Sequence, residues 1–177
     1  MKHLPVLEGR LVKLDAFALN YINIYHEWMQ DKYIQDMIGK HENLTIDDII
    51  GMHKEWEESS DIAHFLVFDR ETSKPIGDVE LHDIKYGESA VCRIMIGDYR
   101  FRDKGFGAEA YKLLFEYGFK TFNLKKITAY VFCFNSPALR LHRKLGFLEV
   151  GRVKDDIVFE LVRHQSVRGS YYQSSCR

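Results

Sequence analysis

The segment Ile94 to Ala110, IMIGDYRFRDKGFGAEA, carries the residue types best suited to chemistry. A strand-like run leads into a glycine-containing loop and then into a helix-forming run. Such a loop presents successive backbone N–H groups at a helix N-terminus, which favours a phosphate or pyrophosphate. Gly105 and Gly107 let the backbone approach an anion with no Cβ in the way. Arg100, Arg102 and Lys104 add positive charge at the same place. No Lys-Ser/Thr follows the last glycine, which excludes a Walker A loop. The third glycine of a dinucleotide fingerprint is missing too, and the segment lies mid-chain rather than in a first βαβ unit. Read alone, the same residues also describe a tight strand-to-helix turn with surface charges.

The elements that must position this loop follow from the hydrophobic period. Residues 8–14 alternate as a first strand. Asp15 is placed to cap a helix running to residue 31, with Leu19, Ile22, Tyr25 and Trp28–Met29 at helical spacing. Gly39 to Asn43 reads as a loop. Thr45 stands three residues before Asp48, close to a capping box, ahead of a helix over 46–58. Runs 64–70, 76–84 and 90–98, separated by turn residues, predict an antiparallel meander with Ile76, Asp78, Glu80 and His82 on one face. A helix over 108–122 follows, then a buried-type strand over 125–134. Ser136 and Pro137 suit the N-cap and first turn of a helix that Gly146 closes, before two final strands. The sum is an α/β (α+β) domain: one mixed, mostly antiparallel sheet of about seven strands flanked by helices. Residues 1–164 form this single domain, and the polar, Ser-rich stretch 165–177 reads as a loosely ordered extension.

Composition narrows the function classes. The chain has 177 residues, 46% hydrophobic and 29% charged, enough for a core of ordinary size. A formal net charge of −1 argues against bulk nucleic-acid binding. No apolar run suits a membrane span and no secretory leader is visible. The three cysteines, Cys92, Cys133 and Cys176, form neither a disulfide framework nor a CxxC pair, which fits a reducing, cytoplasmic setting. The eight histidines show no metal-ligand spacing, so no metal is expected.

Two further matches point to a family. Arg102-x-x-Gly105-x-Gly107 matches the Gln/Arg-x-x-Gly-x-Gly/Ala signature of the GNAT superfamily of N-acetyltransferases. Downstream, Asn135 opens NSPALRLHRKLGF, which resembles the second motif of that superfamily, an Asn at a strand end before a helix closing on Lys-Leu-Gly-Phe. The resemblance spans the chain from the first strand to about residue 162. Within the superfamily it looks most like the branch that includes ribosomal-protein alanine N-acetyltransferases. It implies acetyl-CoA as co-substrate, a primary amine as acceptor, and parallel strands that splay at the cofactor site. By the same resemblance, Met95 and Ile96 would bond the pantetheine arm and polarise the thioester carbonyl. Arg102, Asp103, Lys104, Gly105, Phe106, Gly107 and Ala108 would wrap the pyrophosphate. Asn135 would bond the pantetheine or structure the next loop, and Arg143 would join the cofactor contacts.

The acid and base are less regular. The family often places a Tyr where this chain has His142, four residues before Gly146, to protonate the leaving thiolate. An imidazolium could serve a thiol leaving group, and the alternative is that His142 only packs against or hydrogen-bonds CoA. Many relatives have a Glu at the position of Val91. Glu80 is the candidate base here, on the strand before the cofactor strand, unless it and His82 form an exposed face. Glu88, in a turn, is a weaker candidate. By family analogy the helices at 16–30 and 45–57 would line the acceptor cleft with Tyr21, Tyr25, Trp28 and Trp56, although aromatics at helical spacing also suit a core. The expected activity is direct acetyl transfer in a ternary complex, to a protein or peptide N-terminus or a small amine. An aminosugar or polyamine acetyltransferase, a non-catalytic acyl-CoA-binding module and a nucleotide-phosphate binder are the competing readings. Edge strands and exposed aromatics suit a homodimer.

Overall fold

The computed structural model describes residues 4–39 and 43–163; the extension expected at 165–177 lies outside them. Its strands are β1 (Leu7–Glu8), β2 (Val12–Ala16), β3 (Ala63–Asp69), β4 (Pro75–Lys85), β5 (Ser89–Met95), β6 (Lys126–Phe132), β7 (Leu148–Val153) and β8 (Asp156–Val162). The helices are α1 (Ile22–Gln30), α2 (Lys32–Ile38), α3 (Ile46–Glu58), α4 (Phe106–Thr121) and α5 (Ser136–Lys144). All eight strands join one sheet in the order β1-β2-β3-β4-β5-β6-β8-β7. Every pair is antiparallel except β5 and β6, which run parallel because α4 carries the chain back between them.

The eighth strand comes from the first predicted one. Residues 8–14 divide at Gly9, whose N–H donates to the Val12 carbonyl, and the two halves form a hairpin with Leu7 opposite Leu14. Asp15 is therefore no helix cap; it lies in β2 opposite Leu66. A short 3-10 turn at Leu19–Tyr21 leads into α1 instead. The single helix expected up to residue 31 is also broken. Asp31 adopts extended backbone at the end of α1, and its Oδ1 accepts the Tyr33 N–H at 2.8 Å, which starts α2. The capping box is as expected: Thr45 and Asp48 exchange hydrogen bonds at the start of α3.

Each face of the sheet has its own core. On one face Val79, Leu81, Ile127, Ala129 and Phe159 meet Tyr111, Leu114, Phe115 and Phe119 of α4. On the other, Leu66, Phe68 and Met95 meet Tyr25, Trp28, Ile49 and Trp56 of α1 and α3. Fully burying one such side chain contributes about 1.5–3 kcal/mol.

Candidate active site

The parallel ladder between β5 and β6 lasts only from Ser89–Lys126 to Val91–Thr128. Beyond it, Cys92 to Met95 face Ala129 to Phe132 across a gap that no ladder bond spans. A cavity of roughly 510 Å³ occupies this gap, with both strands in its wall. Strand alternation places Ile94 on the α4 side, where a Cβ on Gly107 would sit 3.3 Å from it. Arg93 and Met95 belong to the opposite side, under the N-terminal helices.

The glycine loop stands at the open end of β5. Gly105 has φ +91°, a conformation that strains any other residue. It is the N-cap of α4, and the first backbone bond of that helix runs from the Glu109 N–H to the Gly105 carbonyl. The amides of Phe106, Gly107 and Ala108 thus have no intrahelical acceptor and face outward as donors. The Glu109 carboxylate accepts the amide N–H groups of Leu11 and Val12, which ties the start of α4 to the β1–β2 turn. These donors and the cavity fit the pyrophosphate and pantetheine of a CoA thioester.

Of the residues expected to hold the cofactor, Met95, Ile96, Arg102, Asp103, Gly105, Gly107, Ala108 and Asn135 line the cavity. Lys104 and Phe106 are not on its wall, and Phe106 instead packs edge-on against Phe101, ring centroids 5.0 Å apart. The Arg102 side chain is engaged by the backbone at the end of β5. Its Nε–H and Nη2 donate to the carbonyls of Ile96 and Gly97 at 2.9 and 2.8 Å, and the guanidinium lies 4.5 Å from the centre of the Tyr33 ring. It braces the end of β5 against α2. Arg143 is off the cavity altogether, paired with Glu149. One helical turn puts Arg140 and Lys144 on the cavity face instead. Asn135, rather than Ser136, is the N-cap of α5. Its Oδ1 accepts the Ala138 N–H and its Nδ2 donates to the Met37 carbonyl, each at 3.1 Å, which links α2 to α5.

The structure places the expected acid on the cavity wall and the expected base below it. His142 lines the cavity but is buried among Tyr111, Phe147 and Phe159. Its Nδ1–H donates to the Ala138 carbonyl at 2.8 Å, and its buried Nε2 has no partner among the described residues. Burial holds its pKa below the ordinary 6.5, against a smaller opposing effect of the Ala138 hydrogen bond. With Nδ1 donating to Ala138, Nε2 is the acceptor of the neutral ring. Glu80 is buried beneath the cavity rather than on its wall, with Oε2 3.3 Å from Arg93 Nη2. Among the described residues, Asp103 is the only carboxylate on the cavity wall, and it is exposed at the rim, 3.9 Å from Arg140.

Several wall residues were not singled out from sequence. Tyr33, Ile34, Met37 and Ile38 of α2 form the lid side of the cavity, while Tyr25, Trp28 and Trp56 of α1 and α3 pack in the core behind it. Gly39 ends α2 at φ +66°, and a Cβ there would fall 2.4 Å from the Phe132 ring, so α2 closes directly onto β6. Cys92 and Tyr111 are buried together on the α4 side, and burial pushes the Cys92 thiol up to about 12, which makes it inert as a nucleophile. Only Arg93 had a sequence signal, as a charge in an otherwise apolar strand.

The sheet order, the splayed parallel pair and the loop at the α4 N-terminus define an acetyl-CoA-dependent acetyltransferase. The acetyltransferase (GNAT) domain family matches residues 12–148, and the chain belongs to that family. Among curated relatives, the alpha/beta-tubulin-N-acetyltransferase 9 of Homo sapiens is 31% identical over 82% of this chain and 76% of its own length. An N-acetyltransferase 9-like protein of Caenorhabditis briggsae is 32% identical over 73% of this chain and 71% of its own. These relatives are of the N-acetyltransferase 9 type and do not single out the ribosomal-protein alanine branch expected from sequence. The fold also matches a spermidine N-acetyltransferase from Vibrio cholerae solved with CoA and spermine, TM-score 0.76 at 22% identity over 87% of this chain and 96% of that one. Among the described residues, no helix is long and apolar enough to cross a membrane.

Proposed function

We propose that the protein transfers the acetyl group of acetyl-CoA to the α-amino group of a protein or peptide N-terminus. The neutral amine attacks the thioester carbonyl carbon, the C–S bond breaks, and CoA leaves as thiolate and takes up a proton. The amine's surplus proton passes to solvent. The gap between β5 and β6 holds the thioester, with backbone donors at the end of β5 facing the developing oxyanion.

The observation that carries the acceptor is the lack, among the described residues, of any carboxylate on the inner cavity wall. Without a positioned base, the acceptor must arrive unprotonated. At pH 7.5 about a third of α-amines are neutral, against roughly one in a thousand amines with the pKa of lysine. The printed names of the relatives, N-acetyltransferases of tubulin, agree with a polypeptide acceptor. A thiol-release assay with acetyl-CoA and a panel of N-terminal peptides, Lys-containing peptides with blocked N-termini, spermine and aminosugars tests this. Turnover confined to free α-amines is expected. Preference for spermine or a sugar amine would overturn the acceptor, and CoA binding with no turnover on any amine would favour a binding module.

A further inference from the structure

Beneath the acceptor side of the gap lies a buried polar cluster that the reaction above does not use. His64 Nε2–H donates to Asp78 Oδ2 at 2.9 Å, and the His64 ring stacks on Trp56 with centroids 3.6 Å apart. Asp78 Oδ2 and Glu80 Oε2 each accept from Arg93 Nη2 at 3.3 Å. The Tyr25 hydroxyl sits beside the same guanidinium. His64, Asp78 and Glu80 are almost wholly enclosed, whereas the Arg93 side chain is 30% exposed and lines the cavity. The carboxylates hold Arg93 from below by one nitrogen only. A guanidinium has five N–H donors in a fixed fork, so two carboxylates on Nη2 and the Tyr25 hydroxyl still leave N–H groups for whatever fills the cavity.

We propose that Arg93 is a specificity-determining residue that donates these N–H groups to the main-chain carbonyl of the acceptor's first residue. This rests on the reading that the acceptor is an α-amine. Strand alternation places Arg93 on the α1–α3 side of β5, opposite Ile94 and the phosphate loop, so it faces acceptor rather than CoA. An N-terminal residue offers a carbonyl one carbon from its nitrogen; a polyamine or an aminosugar amine offers none. Two charge-assisted bonds also fix an otherwise mobile side chain before the acceptor arrives.

The test uses two conjugates in which the CoA sulfur is joined through an acetyl bridge to a peptide N-terminus. One keeps the first peptide carbonyl and the other has a methylene there. Their affinities and that of CoA are measured by calorimetry on the full chain and on Arg93→Lys. The wild-type chain is expected to prefer the carbonyl conjugate by about tenfold or more. Arg93→Lys is expected to bring that preference below about threefold and to leave CoA affinity unchanged, since Lys keeps the charge but loses the fork. Equal binding of both conjugates by the wild-type chain overturns the assignment of Arg93 while the acetyltransferase stands. Retention of the preference by a folded Arg93→Lys overturns it as well. Failure of both conjugates to bind more tightly than CoA overturns the α-amine reading itself.

Discussion

The two sides of the β5–β6 gap hold charge by opposite means. On the α4 side the work falls to backbone: Gly105 at positive φ, the open amides of Phe106 to Ala108, and a helix dipole. On the α1–α3 side it falls to side chains: Asp78, Glu80 and His64 enclosed around Arg93. A backbone site needs only a permissive residue and a helix start, both local in sequence. A buried ion cluster needs partners from β3, β4 and β5 together, and it collapses if any of them loses its counter-charge.

That contrast predicts different failures. The largest effect belongs to Arg93→Met, which leaves two buried carboxylates without their cation; a loss of about 3–5 kcal/mol is expected in urea unfolding. A change below about 1 kcal/mol would mean that the cluster is solvated, and the contrast would disappear. Gly105→Val should leave the acceptor-side cluster alone but strain the loop by roughly 1–3 kcal/mol and crowd the anion. Its expected signature is CoA affinity lowered by about tenfold to a hundredfold in calorimetry; unchanged affinity would remove the loop from the cofactor site.

His142 gives a pH test between the two. Its folded pKa lies below the unfolded value near 6.5, so the unfolded chain binds the proton first as pH falls. The stability this neutral ring contributes is whole above that value and is lost as pH drops through it toward the folded pKa. His142→Leu should therefore flatten the fall in stability between pH 7 and 5.5, and an unaltered slope would show that the ring titrates alike in the folded and unfolded chain. If turnover at pH 7.5 also survives the substitution, His142 is wall rather than acid. The smallest effect is expected for Arg143→Ala. The Arg143–Glu149 pair is exposed and lies off the cavity, and such pairs contribute roughly 0.2–1 kcal/mol. CoA affinity should stay within about twofold, and a larger loss would return Arg143 to the cofactor contacts.

The comparison also explains what could be read in advance. The strand–glycine loop–helix turn at Gly105, the Thr45–Asp48 box, the meander and the Gly146 helix end are local signals, and each stands where expected. The misreadings arose where two local options were nearly equal. Asp15 can cap a helix or pair in a strand, and only the presence of β3 beside it favours the strand. Asp31 can continue a helix or restart one, and the docking of Arg102 beside it goes with the restart. Ser136 and Asn135 are both good caps; Asn135 wins because its amide also reaches Met37.

The sequence by itself determined the family, the glycine loop and the order of elements, because each depends on residues close in the chain. Only the tertiary structure decided which charges face the cavity. Arg102, Arg143, Glu80 and His142 all carry groups suited to catalysis. Arg102 is engaged by backbone carbonyls and Arg143 by Glu149; Glu80 and His142 are buried; Arg93, a charge in an apolar strand, stands on the cavity wall above its two carboxylates.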